Sequence, residues 1–266
     1  MSCGRRIGRG FTLVELAVAI FIIALLLGSV LVPLQSQVES RRYDDTQRIL
    51  EQAREALLGY AAANGYFPCP ADYALGSLGA EVTHNLGTGV CAATVNGGGT
   101  GGVYVGFLPA VTLGFTPVDA QGYALDAWGL TQNRIRYAVS YTTVGGTTNP
   151  FTRTNGIRSA GMGNVQAAAL LSVCNTATGS TATACAAGAT LTSNAIVVIW
   201  SLGPNAATTG GVSTDEAENA QSLAATDRVF VMRTKSSVTA SEFDDVVTWI
   251  AAPTLFNRLI AAGQLP

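Results

Sequence analysis

Few side chains in this 266-residue sequence are equipped for chemistry, and the most conspicuous is Glu15. It is the single ionisable residue in the 24-residue run from Phe11 to Leu34. A carboxylate carried into hydrocarbon costs about 2.5–3.5 kcal/mol or more unless it finds a partner. Its chemistry is therefore ion pairing. The other candidates are five cysteines (Cys3, Cys69, Cys91, Cys174 and Cys185), the acids Asp215, Glu216 and Glu218, the pair Asp244–Asp245, and one histidine, His84. A lone histidine does not make a nucleophile–base–acid arrangement, and a glycosidase needs a carboxylate geometry that spacing alone does not give. No catalytic residue is expected. With no C-x-x-C and only His84 as a nitrogen donor, zinc is not expected either.

The element that must position Glu15 is a helix. Phe11 to Leu34 would run roughly 36 Å at about 1.5 Å per residue, against a hydrocarbon core of about 30 Å, so it can span a bilayer with some tilt. Arg5, Arg6 and Arg9 precede it without an acid, which keeps that end cytoplasmic and sends the rest outward. No small-residue cleavage site of the ordinary secretory kind follows before Pro33.

The pattern Gly10-Phe11-Thr12-Leu13-Val14-Glu15 after a short basic leader resembles the class III signal of type IV pilins and of the pseudopilins of type II secretion. The resemblance implies that a prepilin peptidase cuts between Gly10 and Phe11 and N-methylates Phe11. It also implies that Glu15 of one subunit neutralises the Phe11 amine of a neighbour as a filament assembles. The partners it implies are the peptidase, other pilin or pseudopilin subunits and the inner membrane. The plainer alternative is an uncut signal anchor with an interfacial glutamate.

Composition agrees with export. Charged residues are 12 % of the chain, well below the usual quarter. Removing Arg5, Arg6 and Arg9 leaves 12 basic against 17 acidic side chains, which argues against a nucleic-acid surface. Cys3 lies in the leader, so four cysteines remain, an even count that favours disulfides in an exported domain. Three pairings are open; Cys69–Cys91 and Cys174–Cys185 are favoured because each closes a local loop.

Beyond Pro33, apolar positions Val38, Ile49, Leu50, Ala53, Leu57 and Ala61 recur at helical spacing between charges, and Asn64-Gly65 with Pro68 beyond reads as a stop. One helix is thus expected from Phe11 to about Asn64. The glycine-rich stretch Gly97–Gly102 formally contains G-x-G-x-x-G but precedes a strand-like run rather than a helix, so it reads as a loop. Strands are expected at Ile135–Val139, Ala195–Trp200 and Val229–Met232, a strand or short helix at Phe243–Ile250, and a terminal helix at Thr254–Gly263. Residues 141–190 read as an elaborated loop or hairpin.

Asp126-Ala127-Trp128-Gly129, with Tyr137 beyond, resembles the D-x-W-G…Y motif of major pseudopilins, with Ala127 where proline is usual. Trp128 is expected to bury against the helix. The Ser201-Leu202-Gly203-Pro204-Asn205 run and the acids after it resemble their calcium loop, which implies Asp215, Glu216 and Glu218 as ligands, although Asn205 stands where aspartate is common. Calcium takes six to eight oxygens; the same acids could be a solvated turn or helix start. Asp244 and Asp245 read as a solvated or capping pair.

The expected fold is α+β, a pilin-like lollipop. Its parts are a leader (1–10), an apolar assembly helix (11–34), an amphipathic helical half (35–64), and a head (65–266) with an antiparallel sheet of about four strands and large loops. The expected function is a structural subunit of a pilus or pseudopilus, single-pass in the inner membrane with a periplasmic head until it enters a periplasmic or extracellular filament. A scarce tip-located binding module, adhesin-like, and an unprocessed membrane-anchored binding protein are the alternatives.

Overall fold

The computed structural model describes residues 12–92, 102–206, 213–221, 227–238 and 240–265, without the side chains of 27–35 and 221. By contact the chain divides into residues 1–42 and 43–266. A single helix, α1 (Leu13–Asn64), runs through 52 residues. Its start is fixed by Thr12 and Glu15, described below. Its end follows from Gly65, whose φ of +78° suits glycine and whose N–H closes onto the Ala61 carbonyl at 2.8 Å.

In the first unit the apolar side chains from Leu13 to Leu26 are exposed: Leu13 is 85 % and Phe21 67 % accessible. Among the described residues no helix is long and apolar enough to cross a membrane. Phe11 and the side chains of residues 27–34 in the expected span lie outside those described.

After the remainder of α1, the second unit has a small hairpin, β1 (His84–Asn85) and β2 (Val90–Cys91), followed by β3 (Val103–Phe107), α2 (Ala110–Leu113) and β4 (Arg136–Ser140). A second hairpin, β5 (Thr143–Val144) and β6 (Thr147–Thr148), leads to α3 (Gly156–Ala160), α4 (Met162–Ala168) and β7 (Leu171–Cys174). Then come β8 (Thr190–Ser201), α5 (Thr214–Gln221), β9 (Val229–Val231), β10 (Val246–Ala251) and α6 (Ala252–Ala261).

β8 is the hub of the main sheet. It pairs antiparallel with β4 (Val139↔Val197 to Arg136↔Trp200), with β7, and with β10 (Val246↔Ser201 to Ala251↔Ala195). β3 extends the sheet beyond β4. β9 joins β7 in parallel, Val173 opposite Phe230. The fold is α+β with a mixed sheet of six strands among the described residues, so the expected all-antiparallel sheet of about four strands is corrected. The long connection from β7 to β9, with β8 and α5 inside it, supplies the crossover that a parallel pair needs.

Both faces of this sheet are buried, which is why Ala195–Trp200 is apolar without alternation. One face carries Tyr104, Tyr137, Val139, Val197, Ile199 and Ile250 into a core shared with Leu50, Leu57, Leu58 and Ala61 of α1 and Leu255 and Leu259 of α6. The other carries Val103, Val105, Val198, Trp200 and Phe230, with Tyr73 and Ala220 packed against it. α6 has proline in its first turn, where a missing N–H costs nothing. Its Arg258 pairs with Glu55 of α1.

Residues 141–190 form more than a loop or hairpin: they hold β5, β6, α3, α4 and β7. Their Thr, Gly and Ala content hides these short elements, each too brief to show a period. Gly97–Gly101 lie outside the described residues.

Candidate functional site

At the start of α1, Thr12 and Glu15 cap one another. The Glu15 N–H donates to Thr12 Oγ1 at 3.3 Å, and Glu15 Oε2 accepts from both the Thr12 N–H and its hydroxyl at 2.9 Å. This is a capping box, satisfying donors the first helical turn leaves unpaired. The Thr-x-x-Glu spacing that signals it was legible in the sequence, although only the acid stood out. Gly10 and Phe11, the expected cleavage pair, lie outside the described residues.

The head is closed by two disulfides, Cys69–Cys91 and Cys174–Cys185. Beside the first, Glu81 Oε2 accepts from the Cys69 N–H at 2.9 Å and lies 3.1 Å from His84 Nδ1. The other ring nitrogen, Nε2, meets the Thr152 carbonyl. The His84 side chain is only 5 % exposed, and Tyr66 stacks edge-on against it, 5.5 Å between ring centroids.

The acids of α5 are divided among different partners. Asp215 Oδ1 accepts from Thr176 Oγ1 at 3.0 Å and the Ala177 N–H at 2.7 Å, while its Oδ2 pairs with Arg233 Nε at 2.9 Å. Glu216 is 1 % exposed and accepts at Oε1 from Asn205 Nδ2 and the Asp244 N–H, both 3.1 Å. Glu218 is pushed up to about 7 by burial and by the negative charges of Asp227 and Asp215. Among the described residues these three carboxylates do not share one coordination centre; the group of donors within 4.8 Å of one another is Cys69, Glu81 and His84.

Asp244 and Asp245 are not a solvated pair. They are 4 % and 2 % exposed, and the Asp245 carboxyl is pushed well above its ordinary range by burial, assisted by the charges of Asp244 and Glu216. Asn219 brings them inside. Its amide nitrogen donates to Asp245 Oδ2 at 2.7 Å and to the Val231 carbonyl at 2.9 Å, and its oxygen accepts the Val231 N–H at 2.8 Å. A side chain bonded like a backbone neighbour of β9 holds the acid pair where β10 begins.

The D-A-W-G turn is also organised by its acid. Asp126 Oδ1 accepts the Trp128 N–H at 2.9 Å, and Oδ2 accepts from Asn133 Nδ2 at 3.0 Å and from the Ser201 hydroxyl. Burial raises its pKa, against the pull of those donors. The turn reaches α1 through its backbone: the Ala127 N–H donates to Thr46 Oγ1 at 3.2 Å. Trp128 itself is half-buried. Sequence reasoning missed the roles of Asn133, Asn219 and Glu81, each of which joins partners from different segments: Asn133 joins Asp126 to Gly203, Asn219 joins β9 to Asp245, and Glu81 joins Cys69 to His84.

No curated protein and no solved structure matches this chain. A family description does match at the N-terminus: residues 5–31, which include the Thr12–Glu15 box, carry the prokaryotic N-terminal methylation motif, the signature of type IV pilins and pseudopilins.

Proposed function

We propose that the chain is a structural subunit of a type IV pilus-like or type II secretion pseudopilus filament. A prepilin peptidase cuts it between Gly10 and Phe11, the Phe11 amine is methylated, and assembly proceeds through the N-terminal helix. The methylation motif over residues 5–31 carries this reading and suggests a structural rather than a catalytic protein.

The exposed apolar surface from Leu13 to Leu26 supports it, since a patch of that extent needs lipid or a protein neighbour. Before assembly that surface anchors the subunit in the inner membrane with the head in the periplasm; afterwards the same surface packs against its counterparts. Glu15 holds Thr12 in the single chain. Cleavage creates an α-amine one residue earlier, and a neighbour's amine then gives the carboxylate a cationic partner in a medium where lone charge is costly.

Intact mass of the native protein, with and without reduction, tests the proposal. The expected mass is that of Phe11–Pro266 plus one methyl group, with two disulfides. A mass retaining Met1–Gly10 in cells with an active prepilin peptidase refutes it.

Calcium at Asp215, Glu216 and Glu218 forms a subsidiary proposal. The run of acids at the start of α5 supports it, while the separate partners these acids hold, Arg233 at Asp215 and Asn205 at Glu216, compete with it. A calcium-induced rise in Tm of the chelator-treated chain, lost in Glu218→Gln, upholds it. An unchanged Tm removes it.

A further inference from the structure

The cluster beside the first disulfide holds more donor chemistry than a structural cross-link requires. Cys69 Sγ, a Glu81 oxygen and a His84 ring nitrogen lie within 4.8 Å of one another. Cys91 Sγ is bonded to Cys69 Sγ, and Cys91 is the cross-strand partner of His84 in the β1–β2 hairpin. Two thiol sulfurs, one imidazole and one carboxylate are a donor set that zinc takes in tetrahedral geometry, with Zn–S near 2.3 Å and Zn–N near 2.0 Å. The His84 Nδ1 and Glu81 Oε2 atoms, 3.1 Å apart, already stand as two neighbouring ligands of one ion would, while the two sulfurs must separate once their bond is broken.

The surroundings of His84 already have the form of a metal site. The Thr152 carbonyl is purely an acceptor, so Nε2 carries the hydrogen that meets it. That fixes the tautomer and turns the Nδ1 lone pair toward Glu81 Oε2, 3.1 Å away. Two acceptor atoms facing each other attract only with a cation between them. A metal ion is such a cation. A ligating histidine that donates its second N–H to a backbone carbonyl is the usual outer support of such sites. The Cys69 N–H orients Glu81 from the other side.

We propose that reduction of Cys69–Cys91 converts this cluster into a zinc site with Cys69, Cys91, His84 and Glu81 as ligands. A dithiol reductant delivers two electrons and two protons to the disulfide and leaves as its own disulfide. Zn2+ then displaces the two thiol protons, together with any proton held between His84 Nδ1 and Glu81, into solvent. Oxidation by a disulfide donor reverses the exchange, reforming the Cys69–Cys91 bond, releasing Zn2+ and leaving the donor as a dithiol. The loop between residues 69 and 91 is thus closed in either redox state, by a covalent bond in one and by a metal in the other. Sequence reasoning set zinc aside because no C-x-x-C is present; here the ligands converge through a hairpin and a loop instead of a short motif.

The test uses the full chain in nonionic detergent, stripped of metal, reduced with a phosphine and titrated with Co2+. The expected result is a thiolate-to-cobalt charge-transfer band that saturates at one ion per chain and disappears when Zn2+ is added. Cys174→Ser/Cys185→Ser keeps the band. Cys69→Ser/Cys91→Ser loses it, and His84→Gln weakens Co2+ binding by about tenfold or more. His84→Gln is checked in the oxidised state for a native circular dichroism spectrum. If the reduced wild type loses its fold without metal, recovery of the spectrum on adding Zn2+ also supports the site. The proposal is overturned if the reduced wild type shows neither the band nor such recovery. It is equally overturned if the band survives in Cys69→Ser/Cys91→Ser.

Discussion

Asp245→Asn isolates the energetic effect of one buried acid. Burial holds the Asp245 carboxyl well above the ordinary value of 3.8. Once pH passes that value, the unfolded chain has released a proton that the folded chain retains. The folded state then binds one proton more, so stability falls with rising pH by about 1.4 kcal/mol per unit. The fall ends when pH passes the folded-state value. The sign is opposite to that of a salt-bridged aspartate, whose folded-state pKa is depressed. An asparagine at this position keeps an oxygen for the Asn219 amide, which now donates at 2.7 Å, and has no proton to lose. The difference in stability, variant minus wild type, should therefore grow by about 1.4 kcal/mol for each pH unit above 3.8 within this window. For a domain of this size that is roughly 3–5 °C in Tm per unit. Thermal unfolding of the oxidised full chain in nonionic detergent, followed by circular dichroism across a pH series, reads it directly. Taking the difference cancels the acids remote from Asp245 and leaves those whose charges act on it, Asp244 and Glu216. A pH-independent difference, or a wild type that gains on the variant as pH rises, would refute the reasoning and mean that Asp245 is ionised in the fold.

Other expectations follow from geometry already given. Gly203 has φ +66°, and a Cβ there would stand 2.3 Å from Asp244 Oδ1 and 2.7 Å from its backbone oxygen; Gly203→Ala should cost at least the 1–2 kcal/mol or so of a left-handed alanine, seen as a lower Tm. The disulfides close loops with sequence separations of 22 and 11, so chain entropy assigns about 3.4 kcal/mol to Cys69–Cys91 and about 2.8 kcal/mol to Cys174–Cys185. Paired Cys→Ala variants measured without zinc should rank in that order. Glu15→Leu removes a capping contact worth about 1 kcal/mol but also a charge that hydrocarbon disfavours. The unassembled protein should remain in the membrane while sheared filaments lose it; filaments at wild-type level would count against the proposed role of Glu15.

What could be read from the sequence depended on how far apart the interacting residues are. The end of α1 at Asn64 follows from local signals, Asn64-Gly65 and the proline beyond. Ala195–Trp200 announced a buried strand because six consecutive apolar residues leave few alternatives. The local disulfide pairs were favoured for a similar reason, each partner being near in sequence. The parallel pairing of β7 with β9 had no such signal: Leu171–Cys174 is four residues long and its partner begins at Val229. Asp244 and Asp245 looked solvated because the group that buries them, Asn219, lies on another element. At the candidate sites the same division holds, with Glu15 visible in its apolar run and Glu81 visible only once His84 and Cys69 stand beside it.

The last helix fastens to the first. Arg258 of α6 pairs with Glu55 across 203 residues, the Arg54 guanidinium holds the Trp249 carbonyl at 3.1 Å, and Gln264 reaches the Ala63 carbonyl at 3.5 Å. β10, which completes one side of β8, immediately precedes that helix. If, as proposed, the chain crosses a membrane from its N-terminus, the amphipathic part of α1 emerges first and waits for β10 and α6 until the residues between have crossed. Its apolar stripe is exposed throughout delivery, at the stage when contact with the wrong neighbour is easiest. Docking of β10 and α6 is thus the step that covers the apolar stripe of α1 and completes the core they share.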